Sequence, residues 1–157
     1  MTQSNIKAVP EGIHTITPHL VVRGAAQAAD WYKQALGAQE RGQRIGVPGG
    51  KFIHIELWFG DSAVMVADEF PEMHVLSPQS VGGTSVVLML TTPDVDTLWQ
   101  RATGAGAEVF HPLQDQFWGD RQGQIIDPFG HRWGMAQHIR DVSPEEIARA
   151  AAAVFGQ

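Results

Sequence analysis

At 157 residues and 43% hydrophobic composition, the chain has the length of one domain and enough apolar surface to bury a core unaided. It contains no cysteine, which excludes disulfides, thiolate nucleophiles and Cys-ligated zinc or iron–sulfur centres. A net charge of −6 with scattered Lys and Arg offers no footprint for nucleic acid, no run approaches the roughly 18 apolar residues that span a bilayer, and the N-terminus lacks a basic-then-apolar leader, so a cytoplasmic protein is expected.

In chain order, HTITPHLVVRG reads as a strand and AAQAADWYKQALGA as a helix. In the helix Ala28, Trp31, Tyr32 and Ala35 recur at three- and four-residue steps, and Gly37 is a C-cap signal. QERGQRI, a Pro-Gly-Gly turn at 48–50, KFIHIELWF, a Gly60-Asp61 turn and SAVMVAD complete a β-α-β-β-β module. From Gly82 the order recurs. GTSVVLMLT is a strand, PDVDTLWQRATGAG a helix opened by Pro93 and Asp94, and AEVFHPLQD, RQGQIIDPF and HRWGMAQH supply three more strands. At an offset of 70 residues Phe59-Gly60 falls on Phe129-Gly130, Met65 on Met135 and Gly24 on Asp94, the pattern of an internal duplication.

Between the modules DEFPEMHVLSPQSVGG has no sustained period and reads as a linker, of a length usually found in functional lids or exchange arms. The C-terminal DVSPEEIARAAAAVFG opens with Ser143 as N-cap, Pro144 in the first helical position and Glu146 closing a capping box. Its Ile147, Ala150, Ala151 and Val154 stripe is expected either to dock on its own domain or to meet a second copy. The expected organisation is a tail over 1–12, one domain over 13–138 (a module at 13–69, linker 70–83, a module at 84–138) and a C-terminal helix within 139–157.

The stretches LVVRGAAQAADWYKQALGAQE and DPFGHRWGM resemble the vicinal oxygen chelate superfamily of glyoxalases, bleomycin-resistance proteins and extradiol dioxygenases. DQFWGDR and DEFPEM are similar to segments of its PhnB-like subgroup. The resemblance implies an α+β protein, two tandem β-α-β-β-β modules forming a curved eight-stranded mixed sheet around a cavity, within a homodimer. It also implies a divalent metal held by first- and last-strand His, Gln or Glu. Counting to those positions gives Thr17, Val87, Val64 and Gly134, none of them a ligand of that kind. The expectation is therefore a metal-free small-molecule binder of the bleomycin-resistance type, taking an aromatic or anionic ligand. A glyoxalase-type lyase or isomerase with Zn, Ni, Mn or Fe on a displaced set such as His19 and Glu56, or a structural or regulatory partner protein, are the alternatives.

Strand alternation assigns the faces. Ile53, Ile55, Leu57 and Phe59 are placed beneath the helix, leaving His54, Glu56 and Trp58 on the open face, where His19 joins them. His54 and Glu56 are the candidate catalytic pair, since a carboxylate beside an imidazole supports proton transfer, unless both simply sit on a solvated face. His19, Trp58, Phe117, Trp118 and Arg121 are the candidate ligand-binding residues. The last three supply flat aromatic area and a planar cation, or alternatively form a bulge with Arg121 paired to Asp115, Asp120 or Asp127. His14, His74 and His111 flank loops or strand ends, where solvation explains them, and Asp127-Pro128-Phe129-Gly130 reads as a hairpin turn.

Overall fold

Strand runs and one amphipathic helix per module build the same arrangement twice. In the computed structural model, which describes residues 5–156, the chain divides into two compact units at Gly83/Thr84. The first comprises β1 (His19–Val22), α1 (Ala25–Leu36), β2 (Gln39–Gly46), β3 (Phe52–Phe59), β4 (Ser62–Asp68) and the short α2 (Pro78–Val81). Its four-stranded sheet runs β1-β4-β3-β2, with β1 parallel to β4 and the other pairs antiparallel. The second comprises β5 (Val87–Thr91), α3 (Val95–Gly104), β6 (Glu108–Asp115), β7 (Asp120–Ile126), β8 (Arg132–His138) and α4 (Pro144–Phe155). Its sheet runs β5-β8-β7-β6 with the same sense of pairing. All eight expected strands are present, four in each of two mixed sheets.

The long helix inside each module, α1 or α3, packs on one face of its sheet. In the first unit Ala28, Tyr32 and Ala35 of α1 are buried, as are Leu20, Val22, Ile55, Leu57, Val64 and Val66 of the sheet, and Tyr32 meets Phe59 edge-on at 6.4 Å. Alanines on the inner stripe let the helix backbone approach the sheet closely. Gly24, at φ +86°, leaves α1 without an N-cap side chain, and Asp68 replaces it from β4. Its Oδ1 accepts from the Gly24 and Ala25 amides (3.0 and 2.8 Å), and Oδ2 from the Phe52 amide (2.7 Å). In the second unit Asp94 caps α3 through the Thr97 amide, and Gln137 of β8 accepts from the Val95 amide. Ile125, Trp133 and Met135 form the buried base beneath α3.

Two boundaries and the repeat offset differ from the expected ones. The first strand begins only at His19, although the Pro18 carbonyl still accepts from the Met65 amide. The expected linker carries a 3-10 turn over Pro71–Met73, closed by its own backbone bonds, and α2, tied down by Glu69. That buried carboxylate accepts from Arg23 (2.7 Å), the Ser77 amide (2.9 Å) and the Ser80 hydroxyl (2.6 Å). The constant offset of 70 also fails in the strands. Ala25 and Val95 start the helices 70 apart, but Val66 and Met135, which pair with Leu20 and Leu90, are 69 apart, and Ile55 and Gly123, which pair with those, are 68 apart. The second unit has lost two residues before its third strand and regained one in the five-residue hairpin turn. Met65, not Val64, is therefore the counterpart of Gly134.

Candidate functional site

On the open face of the first sheet, register aligns His19, Met65, Glu56 and Arg41 in one row across β1, β4, β3 and β2. His54 lies on the same face, half-buried, with its strand neighbour Ile45 on β2. No hydrogen bond joins His54 to Glu56. The Glu56 carboxylate instead accepts from the Trp58 indole N–H at 2.5 Å, and the Arg41 guanidinium stacks over that indole at 4.1 Å. Trp58 faces away from α1 yet is buried, because Gly12 of the N-terminal segment rests on its ring. A β-carbon at Gly12 would come 2.8 Å from the ring's Cη2, so the segment can lie this close only as glycine. The indole is thus fixed and covered, by a carboxylate at its edge, a cation over its ring and Gly12 against it, while His19 is exposed at the row's end.

On the second sheet the equivalent row is Met89, Gly134, Gln124 and His111. The residues matching His54 and Glu56 are Gln122 and Gln124. With Gln114, Gln116, His111 and Trp118 they line a concavity of about 210 Å³. Neither glutamine was among the expected site residues, although the offset of 70 sets Gln124 on His54. The signal was there in the Gln122-Gly123-Gln124 alternation, and His111, assigned to solvent, sits in the same wall.

Phe117 and Trp118 meet edge-to-face at 5.0 Å in a tight turn, closed by bonds from the Gln116 amide to the Asp120 carbonyl and from the Gly119 amide to the Gln116 carbonyl. The Ile139 and Arg140 amides both donate to the Gly119 carbonyl, clamping this turn to the chain leaving β8. Arg121 does not join Trp118. Strand parity sends it to the helix side, where it donates to Asp96 of α3 and to Asp115 (3.0 and 3.1 Å). Asp115 was among the partners expected of a structural Arg121; Asp96 was not. At the end of the open face His138 places one ring nitrogen 2.9 Å from Asp120 and the other 2.7 Å from Asp141, and these carboxylates, Asp141 foremost, raise its pKa.

The donor set does not fit the metal the resemblance implies. Thr17, Met65, Val87 and Gly134 occupy the superfamily's ligand positions, and a β-carbon built on Gly134 would collide with the Met89 sulfur. No cluster of three or more His, Asp or Glu suited to a metal occurs among the described residues, and no helix there is long and apolar enough to cross a membrane. His19 and Glu56 share a row, but Met65 stands between them.

Comparison with known proteins agrees with this architecture. The family model of the Glyoxalase/Bleomycin resistance protein/Dioxygenase superfamily matches residues 12–135. The uncharacterized protein Mb0911c of Mycobacterium bovis is 46% identical over 138 residues, covering 86% of this chain and 90% of that one. Among solved structures, TioX from Micromonospora sp. ML1 superposes with a TM-score of 0.64 at 31% identity, over 80% of this chain and 99% of TioX. A Bacillus cereus PhnB protein, described as a putative 3-demethylubiquinone-9 3-methyltransferase, superposes at 0.58 and 19% identity over 79% and 99%, a likeness of fold.

Proposed function

Because the chain belongs to the Glyoxalase/Bleomycin resistance protein/Dioxygenase superfamily, we propose that it is a small-molecule-binding protein of the bleomycin-resistance type that works without a metal. The observation that carries this reading is the pair of open-face rows. At the last-strand positions where a chelating enzyme needs anionic or imidazole donors, the rows offer the Met65 thioether and Gly134, which the Met89 thioether covers. In the second unit Trp118 supplies the stacking area, and in the first His19, His54 and Glu56 share a face with the buried Trp58. The working unit in this reading is a cytoplasmic homodimer.

Elemental analysis of untagged protein tests the reading together with a thermal-shift screen of aromatic compounds. The expected result is substoichiometric metal and a rise in melting temperature that a chelator does not abolish, since a ligand specific for the folded state must stabilise it. One Zn, Ni, Mn or Fe per chain, with ligand binding lost on chelation, would overturn it in favour of the lyase or isomerase.

A further inference from the structure

We infer that the glutamine-lined concavity of the second sheet selects a neutral planar molecule bearing adjacent N–H and C=O groups, the edge of a lactam. This deepens, and rests on, the small-molecule-binding reading above. The first support is the way hydrogen bonds orient two of the amides. Gln116 Nε2 donates to the Gln122 carbonyl at 3.1 Å, which leaves the Gln116 amide oxygen as an acceptor. Gln124 Oε1 accepts from Arg132 Nε at 3.1 Å, which leaves the Gln124 amide nitrogen as a donor. One wall therefore offers an oriented donor and an oriented acceptor, the two kinds of group that a cyclic amide can pair with.

The second support is charge. Arg121 lies on the other face of the sheet, engaged by two carboxylates. The Arg132 guanidinium stacks over Phe110 at 4.1 Å and reaches the wall only through its bond to Gln124 Oε1. The lining side chains themselves are amides, an imidazole and an indole. The third is size and shape. About 210 Å³ falls below the roughly 300–1,000 Å³ of drug-sized pockets, which limits the occupant to one or two fused rings lying against Trp118.

Calorimetric titration of the full chain with four probes tests the assignment: quinolin-2(1H)-one, its N-methyl derivative, naphthalene-1-carboxylate and naphthalene. The lactam should bind tightest and its N-methyl derivative at least about fivefold more weakly, the effect of one lost hydrogen bond. Gln124→Glu keeps the acceptor for Arg132 but turns the donor into an acceptor, and should weaken the lactam about tenfold. Gln116→Leu should do the same from the other side, with circular dichroism checking that both variants fold. Equal binding of lactam and N-methyl derivative, tighter binding of the carboxylate, or indifference to Gln124→Glu would overturn the lactam assignment while leaving small-molecule binding intact. Silence towards all four probes would overturn both.

Discussion

Asp68, Glu69 and Asp127 are buried acids, each surrounded by donors from its own unit. Asp127 accepts from the Phe129 and His131 amides and, through its other oxygen, from the indole of buried Trp133 at 2.8 Å. The hairpin turn that the sequence announces by Pro and Gly is thereby also the anchor of a core ring. Asp127→Ala strands those donors and should cost about 2–4 kcal/mol in chemical denaturation, whereas Asp127→Asn, which keeps an acceptor, should cost less. Glu69 is held at about pKa 2, first by the Ser80 hydroxyl, then by Ser77 and Arg23. Arg44, followed by Lys33, likewise holds Glu40 at about 2. Both values lie below the unfolded one, so their stabilisation is complete above pH ~4.5 and is lost as pH falls towards 2. Glu69→Gln should therefore lower stability at pH 7 and flatten the acid limb of a melting-temperature profile; an unchanged limb would remove Glu69 from the account. His138 works in the opposite direction. Its pKa is raised, so the contacts to Asp141 and Asp120 are complete below the unfolded value near 6.5 and fade as pH rises through the folded one, a course that NMR titration of its ring can follow.

At the scale of elements, local signals identify the segments and distant residues complete them. The apolar steps of α1, its Gly37 cap and the Ser143 box of α4 are all legible in a few consecutive residues. The start of α1 is not, because its capping acid comes from another strand 44 residues away. Asp68→Ala should speed amide exchange at Gly24, Ala25 and Phe52 together, a joint response that no local cap would give. The segment after β4 hides its order for the same reason, since α2 is tied down by Glu69 and not by any hydrophobic period. Close packing adds a further constraint that one sequence does not display. A β-carbon on Gly123 would lie 2.6 Å from the Trp99 ring of α3 and 2.9 Å from the Leu113 backbone. Gly123→Val should destabilise the second unit by about 1–3 kcal/mol or more, the ordinary cost of overpacking, measurable by urea unfolding.

For the molecule as a whole, the duplication made the fold readable, since four strands and a helix recur in one order and each copy obeys the same pairing. The site was harder to read. Side-chain faces change with every one-residue slip, and the last strands of the two copies are 69 residues apart where the helices are 70, enough to exchange Val64 for Met65. Arg121 shows the same sensitivity: one step along β7 separates an open-face residue from one bound to α3. If the homodimer reading holds, sedimentation at micromolar concentration should give twice the 17.1 kDa chain mass, and a 17.1 kDa species would end it. Ile147, Ala150 and Ala151 of α4 are half-buried, while Val154 and Phe155 are 58% and 78% exposed, so the outer turn is where a charged substitution should act on that mass.

The Met89 side chain lying over Gly134 also constrains how this lineage can change. A lone substitution of Gly134 by Glu or His meets the thioether before it meets any metal, and truncating Met89 alone opens space without adding a donor. The first step must displace a flexible, half-exposed thioether, and the second adds no ligand. Selection for metal-dependent activity in the laboratory should therefore recover changes at 134, with changes at 89 accompanying them.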